Sequence, residues 1–219
     1  LNEKLVKNSV QIELGGSLTS FTKLPDGTFF PQFGDASTLI LNGGGTYTYK
    51  TAYGISYNFN LAEDLATIVF PSGVTVTLTY TSGKLTNVTN GLGRNLNFVY
   101  TGSDLSSVND GNGRSVSFTL NGSRNLTQFT NANSKSTTYD YDMPGRLTKV
   151  YLPANPATAI YTNIYDSQSR VKEQQNALGQ SLFFYLAGSR SEVVDALGNK
   201  VIYFFNRMGL NTKTVNQVN

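Results

Sequence analysis

An internal repeat constrains this chain more than any other feature, because a fixed period admits only architectures that grow by one unit at a time. The aromatic or apolar residue before each polar turn recurs at Phe59, Tyr80, Tyr100, Leu120, Tyr141, Tyr165, Tyr185 and Phe205. The successive spacings are 21, 20, 20, 21, 24, 20 and 20 residues. Each unit opens on a glycine-type turn, as at Ser72-Gly73, Leu92-Gly93-Arg94, Asn112-Gly113-Arg114, Leu178-Gly179-Gln180 and Leu197-Gly198-Asn199, with Asn133-Ser134-Lys135 in the same place. Strict alternation follows. Val74, Val76, Leu78 and Tyr80 alternate with Thr75, Thr77 and Thr79, and Leu96-Phe98-Tyr100, Val116-Phe118-Leu120 and Val201-Tyr203-Phe205 repeat the pattern. Period two with β-branched and aromatic residues predicts strands with one buried face.

A second turn closes each strand: Thr81-Ser82-Gly83-Lys84, Thr101-Gly102-Ser103-Asp104, Asn121-Gly122-Ser123 and Asp142-Met143-Pro144-Gly145-Arg146. Gly, Asn, Asp and Pro suit turns that need a positive or preset φ. A shorter apolar pair, three residues apart, comes next at Leu85/Val88, Leu105/Val108, Leu126/Phe129 and Leu147/Val150. Two turns and two strands per unit predict an all-β fold: a repetitive strip of antiparallel hairpins, curved or spiralling as a sheet. A strand of ~7 residues spans ~23 Å, and each unit lengthens the strip by ~9–10 Å. The competing architecture is a parallel β-helix. Two chemically different turns and a long strand followed by a short one favour hairpins.

The strip is expected over residues 42–219 as about eight units. Residues 1–41 read as a loop-rich lead-in with short strands, marked by Pro25-Asp26-Gly27 and Pro31. Lead strands are expected at Thr46–Tyr49 and Ile55–Phe59, after Gly43-Gly44-Gly45. Two prolines, Pro153 and Pro156, account for the stretched 24-residue interval and predict an enlarged turn near 152–164. Leu61–Leu65 is too short to support a helix.

Composition then narrows the chemistry. The chain has 219 residues with no cysteine and no histidine. Disulfides, thiolate nucleophiles, zinc-thiolate sites and imidazole general bases are therefore excluded. Charged residues make up 14%, against roughly 25% in an ordinary soluble domain. In their place stand 25 Thr, 23 Asn and 20 Ser. The net charge of +3 comes from scattered residues, with no stripe that would track a phosphate backbone. The longest apolar run is Val201 to Phe205, far below the ~18–20 residues of a membrane helix. The chain opens Leu1-Asn2-Glu3, with neither initiator Met nor signal-peptide pattern, as expected of a piece of something longer.

Tyr141-Asp142-Met143-Pro144-Gly145-Arg146-Leu147 resembles the RHS/YD repeat, Tyr-Asp-x-x-Gly-Arg-Leu, in full. Tyr165-Asp166-Ser167-Gln168-Ser169-Arg170-Val171 matches with Ser169 for Gly and Val171 for Leu. The resemblance extends over about residues 42–219. Elsewhere Thr81, Thr101, Asn121, Leu186 and Asn206 replace the Asp. It implies a β-strip that spirals into a hollow shell, as in bacterial RHS and Tc-toxin-like proteins, or an array in cell-wall-associated YD-repeat proteins. It further implies a secreted or cell-surface parent, whose remaining YD repeats and enclosed effector would be this chain's partners. The Asp-Pro-x-Gly-Leu self-cleavage segment of many bacterial members is not present. The chain is therefore expected to be structural and non-catalytic, without cofactor or metal.

Sharper readings attach to a few residues. Tyr139, Tyr141 and Tyr165 are candidate glycan contacts, because aromatic faces stack on sugars. Against this, their recurrence reads as cross-strand packing, with hydroxyls at the sheet surface. Asp140 and Asp142 would share a strand face ~7 Å apart, a spacing that suits an inverting acid pair. The commoner role for Asp after Tyr at a strand end is to accept N–H bonds in the turn. Arg146 and Arg170 are expected to pair with a neighbouring unit's carboxylate.

Overall fold

A computed structural model describes residues 9–218 of the chain. Among them every regular element is a strand. Two compact units are formed, one from residues 9–99 and 108–113 and the other from residues 100–107 and 114–218.

The first unit begins with β1 (Ser9–Leu14), β2 (Ser17–Lys23) and β3 (Phe29–Pro31), a three-stranded antiparallel sheet. The repeat ladder starts at β4 (Thr38–Leu41), inside the segment set apart as a lead-in. It continues through β5 (Tyr47–Lys50), β6 (Ser56–Phe59), β7 (Leu65–Val69), β8 (Thr75–Thr81), β9 (Lys84–Thr89) and β10 (Asn95–Thr101). The unit boundary falls in β10 and β11 (Asp104–Asn109). The second unit carries β12 (Ser115–Leu120), β13 (Leu126–Thr130), β14 (Ser136–Met143), β15 (Arg146–Tyr151), β16 (Tyr161–Tyr165), β17 (Val171–Asn176), β18 (Ser181–Ala187), β19 (Arg190–Val194), β20 (Lys200–Phe205) and β21 (Asn211–Gln217). Each strand from β12 onward pairs antiparallel with the next. These are hairpins, not β-helix coils. The enlarged turn lies between β15 and β16 and is folded back by the Ile160 N–H on the Val150 carbonyl, 2.8 Å.

The three-residue spacing of the apolar pairs has a local cause. Tyr141 faces Leu147 and Asp140 faces Lys149, so Thr148 is an extra residue in its strand. Thr86, Thr127 and Thr212 are extra in the same way. Such a bulge shifts the alternation by one. Leu85 and Val88 thereby meet Tyr80 and Leu78, and Leu147 and Val150 meet Tyr141 and Tyr139. The hydroxyls of Thr86, Thr127 and Thr212 donate to the carbonyls of Thr79, Thr119 and Phe204, at 3.1–3.2 Å.

Alternation sorts side chains onto two faces, but it does not bury one of them throughout. Within the first unit, Tyr49, Tyr57, Ile68 and Val76 lie in register on one face. Thr48, Asn58 and Thr67 lie on the other, joined by side-chain bonds of 2.8 and 2.9 Å. Asn87, Asn97 and Asn109 form a similar chain. The buried hydrophobic residues among those described are Ile12, Phe21, Leu39, Tyr49 and Ile202. Four of these form one cluster, where the β1–β3 sheet covers the apolar side of β4 and β5. Phe21 meets Tyr49 edge-on at 5.9 Å, and Phe29 meets Tyr47 at 6.0 Å. Elsewhere, as along β8, apolar side chains are half-buried.

Candidate functional site

Turns set the positions of the motif residues. A three-residue hairpin loop ends on a residue with positive φ, and its first N–H groups need an acceptor. An Asn or Asp at the strand end supplies one. Asn60, Asn90, Asn121, Asn131, Asp166, Asn176, Asp195 and Asn206 each accept N–H bonds from the second and fourth residues onward, at 2.8–3.2 Å. Asp166 is thus a turn anchor. Its second oxygen takes Arg170 Nε at 2.9 Å.

Asp142 does something different. Its turn is the tighter one at Pro144-Gly145, with Met143 opposite Arg146. Arg146 clamps Asp142 with two bonds of 2.7 Å. The arginines therefore bond to the aspartate of their own turn, and not to a neighbouring unit's carboxylate. Four residues across a hairpin turn is the shorter reach. Arg124 does reach a carboxylate of the preceding repeat, that of Asp104.

Arg146 reaches forward with its remaining nitrogen. Nη1 donates to Ser169 Oγ at 3.1 Å, and the guanidinium lies 5.1 Å from the Tyr165 ring centroid. The Tyr165 hydroxyl in turn donates to the Leu147 carbonyl at 2.6 Å. Tyr141 reaches the Leu126 carbonyl at 2.9 Å, and Tyr80 the Leu65 carbonyl at 3.0 Å. These hydroxyls do not sit free at the sheet surface. They bond backbone that lies beyond the end of the ladder to the following strand: between β13 and β14, pairing stops at Gln128 and Thr138. Gly145 is tied back as well, its N–H donating to Asn125 Oδ1 at 2.9 Å. Tyr139 stands opposite Val150. Desolvation, with the neighbouring Tyr139, pushes the Tyr141 phenol up.

The carboxylates are committed in the same fashion. Arg146 holds Asp142 below the usual carboxylate range. Backbone N–H bonds, the Arg170 amide foremost, and the Arg170 side chain do the same for Asp166. Asp140 accepts the Tyr151 hydroxyl at 2.9 Å. A general acid needs a raised pKa, so Asp142 is shifted the wrong way for that role. No three carboxylates gather into a metal-ligating group among the described residues.

One concave surface in this unit was not singled out from sequence. A groove of about 390 Å³ is lined by Tyr161, Gln174, Asn176, Gln180, Ser181 and Asp195, among others. Tyr161 is exposed there. Its only sequence signal is an aromatic residue just after the enlarged turn.

No family model matches the chain, and no curated protein matches it. Among solved structures it is similar to a chain of the crystal structure of TcdB2-TccC3-Cdc42, at 10% identity and TM-score 0.45, over 91% of this chain and 15% of that one. The TcdB2-TccC3 crystal structure gives 10% identity and TM-score 0.44, over 91% and 16%. The Photorhabdus luminescens Tc holotoxin pore gives 10% and 0.37, also over 91% and 16%. The chain spans about a sixth of the length of these structures' chains.

Proposed function

We propose that the chain is a stretch of wall in a large exported YD-repeat protein. It is a non-catalytic part of a β-shell that encloses or displays a toxin or other effector, at the cell surface or beyond it. Its partners are the remainder of the parent chain, namely further repeats and the effector. The observation that carries this reading is the latch between successive hairpins: Tyr141 and Tyr165 each bond the backbone of the hairpin before them. Such bonds hold a sheet one layer thick in register where little core exists to do so. The committed side chains of Arg146, Asp142 and Asp166 favour a structural role for the motif.

Electron cryo-microscopy of the full-length parent tests it. The expected result is this segment as part of a continuous repeat wall with effector density inside. A solid sandwich, in which the second unit packs its apolar face on another sheet, would overturn it.

The Tyr161 groove favours a second reading, a glycan- or receptor-binding module. An exposed ring beside amide side chains suits a neutral sugar. A glycan array decides between Tyr161 and the motif tyrosines. Binding lost in Tyr161→Ala and kept in Tyr141→Phe supports the groove, and no binding on any array removes the reading.

A further inference from the structure

The lead-in sheet presents an edge that carries its own recognition chemistry. Among the described residues β1 pairs with β2 alone. Their loop is Gly15-Gly16, with φ of 58° and 81°, the geometry of a two-residue type I′ hairpin. Its closing pair, Leu14 and Ser17, exchanges both backbone bonds, and the exchange alternates along an antiparallel ladder. Val10, Ile12 and Leu14 therefore bond inward. Ser9, Gln11 and Glu13 aim N–H and C=O away from β2. Side chains follow the same division: Ile12 is in the core cluster with Val10 and Leu14 packed against it, and Ser9, Gln11 and Glu13 are exposed.

This edge borders a groove of about 640 Å³. Ser9 through Glu13 line it, together with the aromatic residues Phe29, Tyr47 and Phe59, and with Lys23 and Glu63. Its size is that of a ligand site. A compact ligand has little use for donors and acceptors repeated at strand spacing, whereas an extended peptide pairs with all of them. Two of the three charged lining residues are carboxylates, and neither makes an ion pair among the described residues. The local balance is acidic on a chain of net charge +3. That favours basic side chains in the occupant.

We propose that the free edge of β1 takes up an extended, basic segment of a partner polypeptide by strand addition. Alternate apolar side chains of that segment lie on Tyr47 and Phe59, and lysine or arginine faces Glu13 and Glu63. The site is independent of the wall reading, because it uses none of the Tyr-Asp-x-x-Gly-Arg-Leu residues and none of the tyrosine latches.

The probe is a fluorescein-labelled peptide of about ten residues, alternating valine and lysine, read by anisotropy. Expected is saturable binding that weakens about tenfold or more in Gln11→Pro, which removes an outward N–H and spares the bonds to β2. Glu13→Lys weakens it too and flattens its salt dependence. Peptides N-methylated on alternate residues, in both registers, give the same test on the unaltered protein, and they decide if Gln11→Pro loses its β-sheet circular dichroism. Equal binding by methylated and unmethylated peptides overturns the proposal, as does no binding at all. A peptide-independent dimer that Gln11→Pro dissociates would also overturn it, by giving the edge to a second copy.

Discussion

The Tyr165 hydroxyl and the Leu147 carbonyl, eighteen residues apart, are joined by a 2.6 Å hydrogen bond beneath the Arg146 guanidinium. Tyr141 and Leu126 form the same pair, as do Tyr80 and Leu65, each fifteen residues apart. In all three the acceptor is the residue preceding the bulge. The ladder to the following strand stops short of each acceptor, at Gln128, Lys149 and Thr67, and an unpaired carbonyl away from water costs free energy. The motif therefore couples a defect in one hairpin to a side chain in the next.

Removing that hydroxyl should cost stability unequally at the two sites. The Leu147 carbonyl also receives Asn163 Nδ2 at 3.1 Å, but Leu126 has no second side-chain donor among the described residues. Tyr141→Phe is expected to destabilise by about 1–2 kcal/mol and Tyr165→Phe by about 0.5. Urea unfolding followed by circular dichroism measures both. Equal losses would show that Asn163 does not share the carbonyl.

Ser134 occupies the loop position where Gly113, Gly179, Gly198 and Gly209 stand in other turns, and it takes a φ of 57°. A left-handed conformation costs a non-glycine residue about 1–2 kcal/mol, and glycine's greater freedom in the unfolded chain returns about 0.4–1 of that. Ser134→Gly should therefore stabilise the protein by about 0.5–1 kcal/mol. Ser169, at φ 60°, is the contrasting case, because its hydroxyl accepts from Arg146. Thermal melts of the two variants should show a clear rise for Ser134→Gly and a smaller one for Ser169→Gly.

The period, the two turns and the antiparallel strip could be read directly from the sequence, because each rests on local alternation and turn chemistry. Leu147 and Val150 were visible as a pair. Their common face was not, since period two puts residues three apart on opposite faces until Thr148 is recognised as extra. The tyrosine latch was hidden for a different reason. A tyrosine at a strand end has the same local pattern whether its hydroxyl meets water or a carbonyl of an earlier hairpin. The Arg146–Asp142 clamp lies within one motif, but a guanidinium after a turn has the same local pattern whether it meets its own aspartate or one in the next repeat. The abundance of asparagine was the signal for the turn anchors, and only the bonds at Asn131 and Asn176 give it a meaning.

Acid should test those anchors. Asp166 and Asp195 are held below the ordinary carboxylate value of 3.8, Asp166 chiefly by the Arg170 N–H and Asp195 chiefly by the Asn199 side chain, with the other turn N–H bonds adding to both. A depressed folded pKa means that the unfolded chain binds protons first, so stability rises with pH in that window. The contribution is complete above about pH 4–5 and is lost as pH falls below 3.8 toward the folded values. Asn131 and Asn176 do the same job without titrating. The melting temperature of Asp166→Asn should therefore fall less between pH 5 and 2 than that of the unaltered protein. An unchanged acid slope would show that Asp166 is not linked to folding.

Phe21 and Phe183 should separate the covered part of the strip from the rest. Phe21 is 1% exposed between the two sheets of the first unit, against Tyr49, whereas Phe183 is 37% exposed on β18. Truncating a fully buried phenylalanine costs about 3–5 kcal/mol, from lost transfer energy and the cavity left behind. A half-exposed ring has already lost less water on folding and leaves no closed cavity, so about 1 kcal/mol is expected for Phe183→Ala. In a repeat strip each strand contacts mainly its sequence neighbours. Hydrogen exchange in Phe21→Ala should therefore accelerate across β1–β6, where the cluster lies, and hardly change in β16–β21. Uniform acceleration through both units would instead mean that the lead-in sheet and the last hairpins unfold as one body.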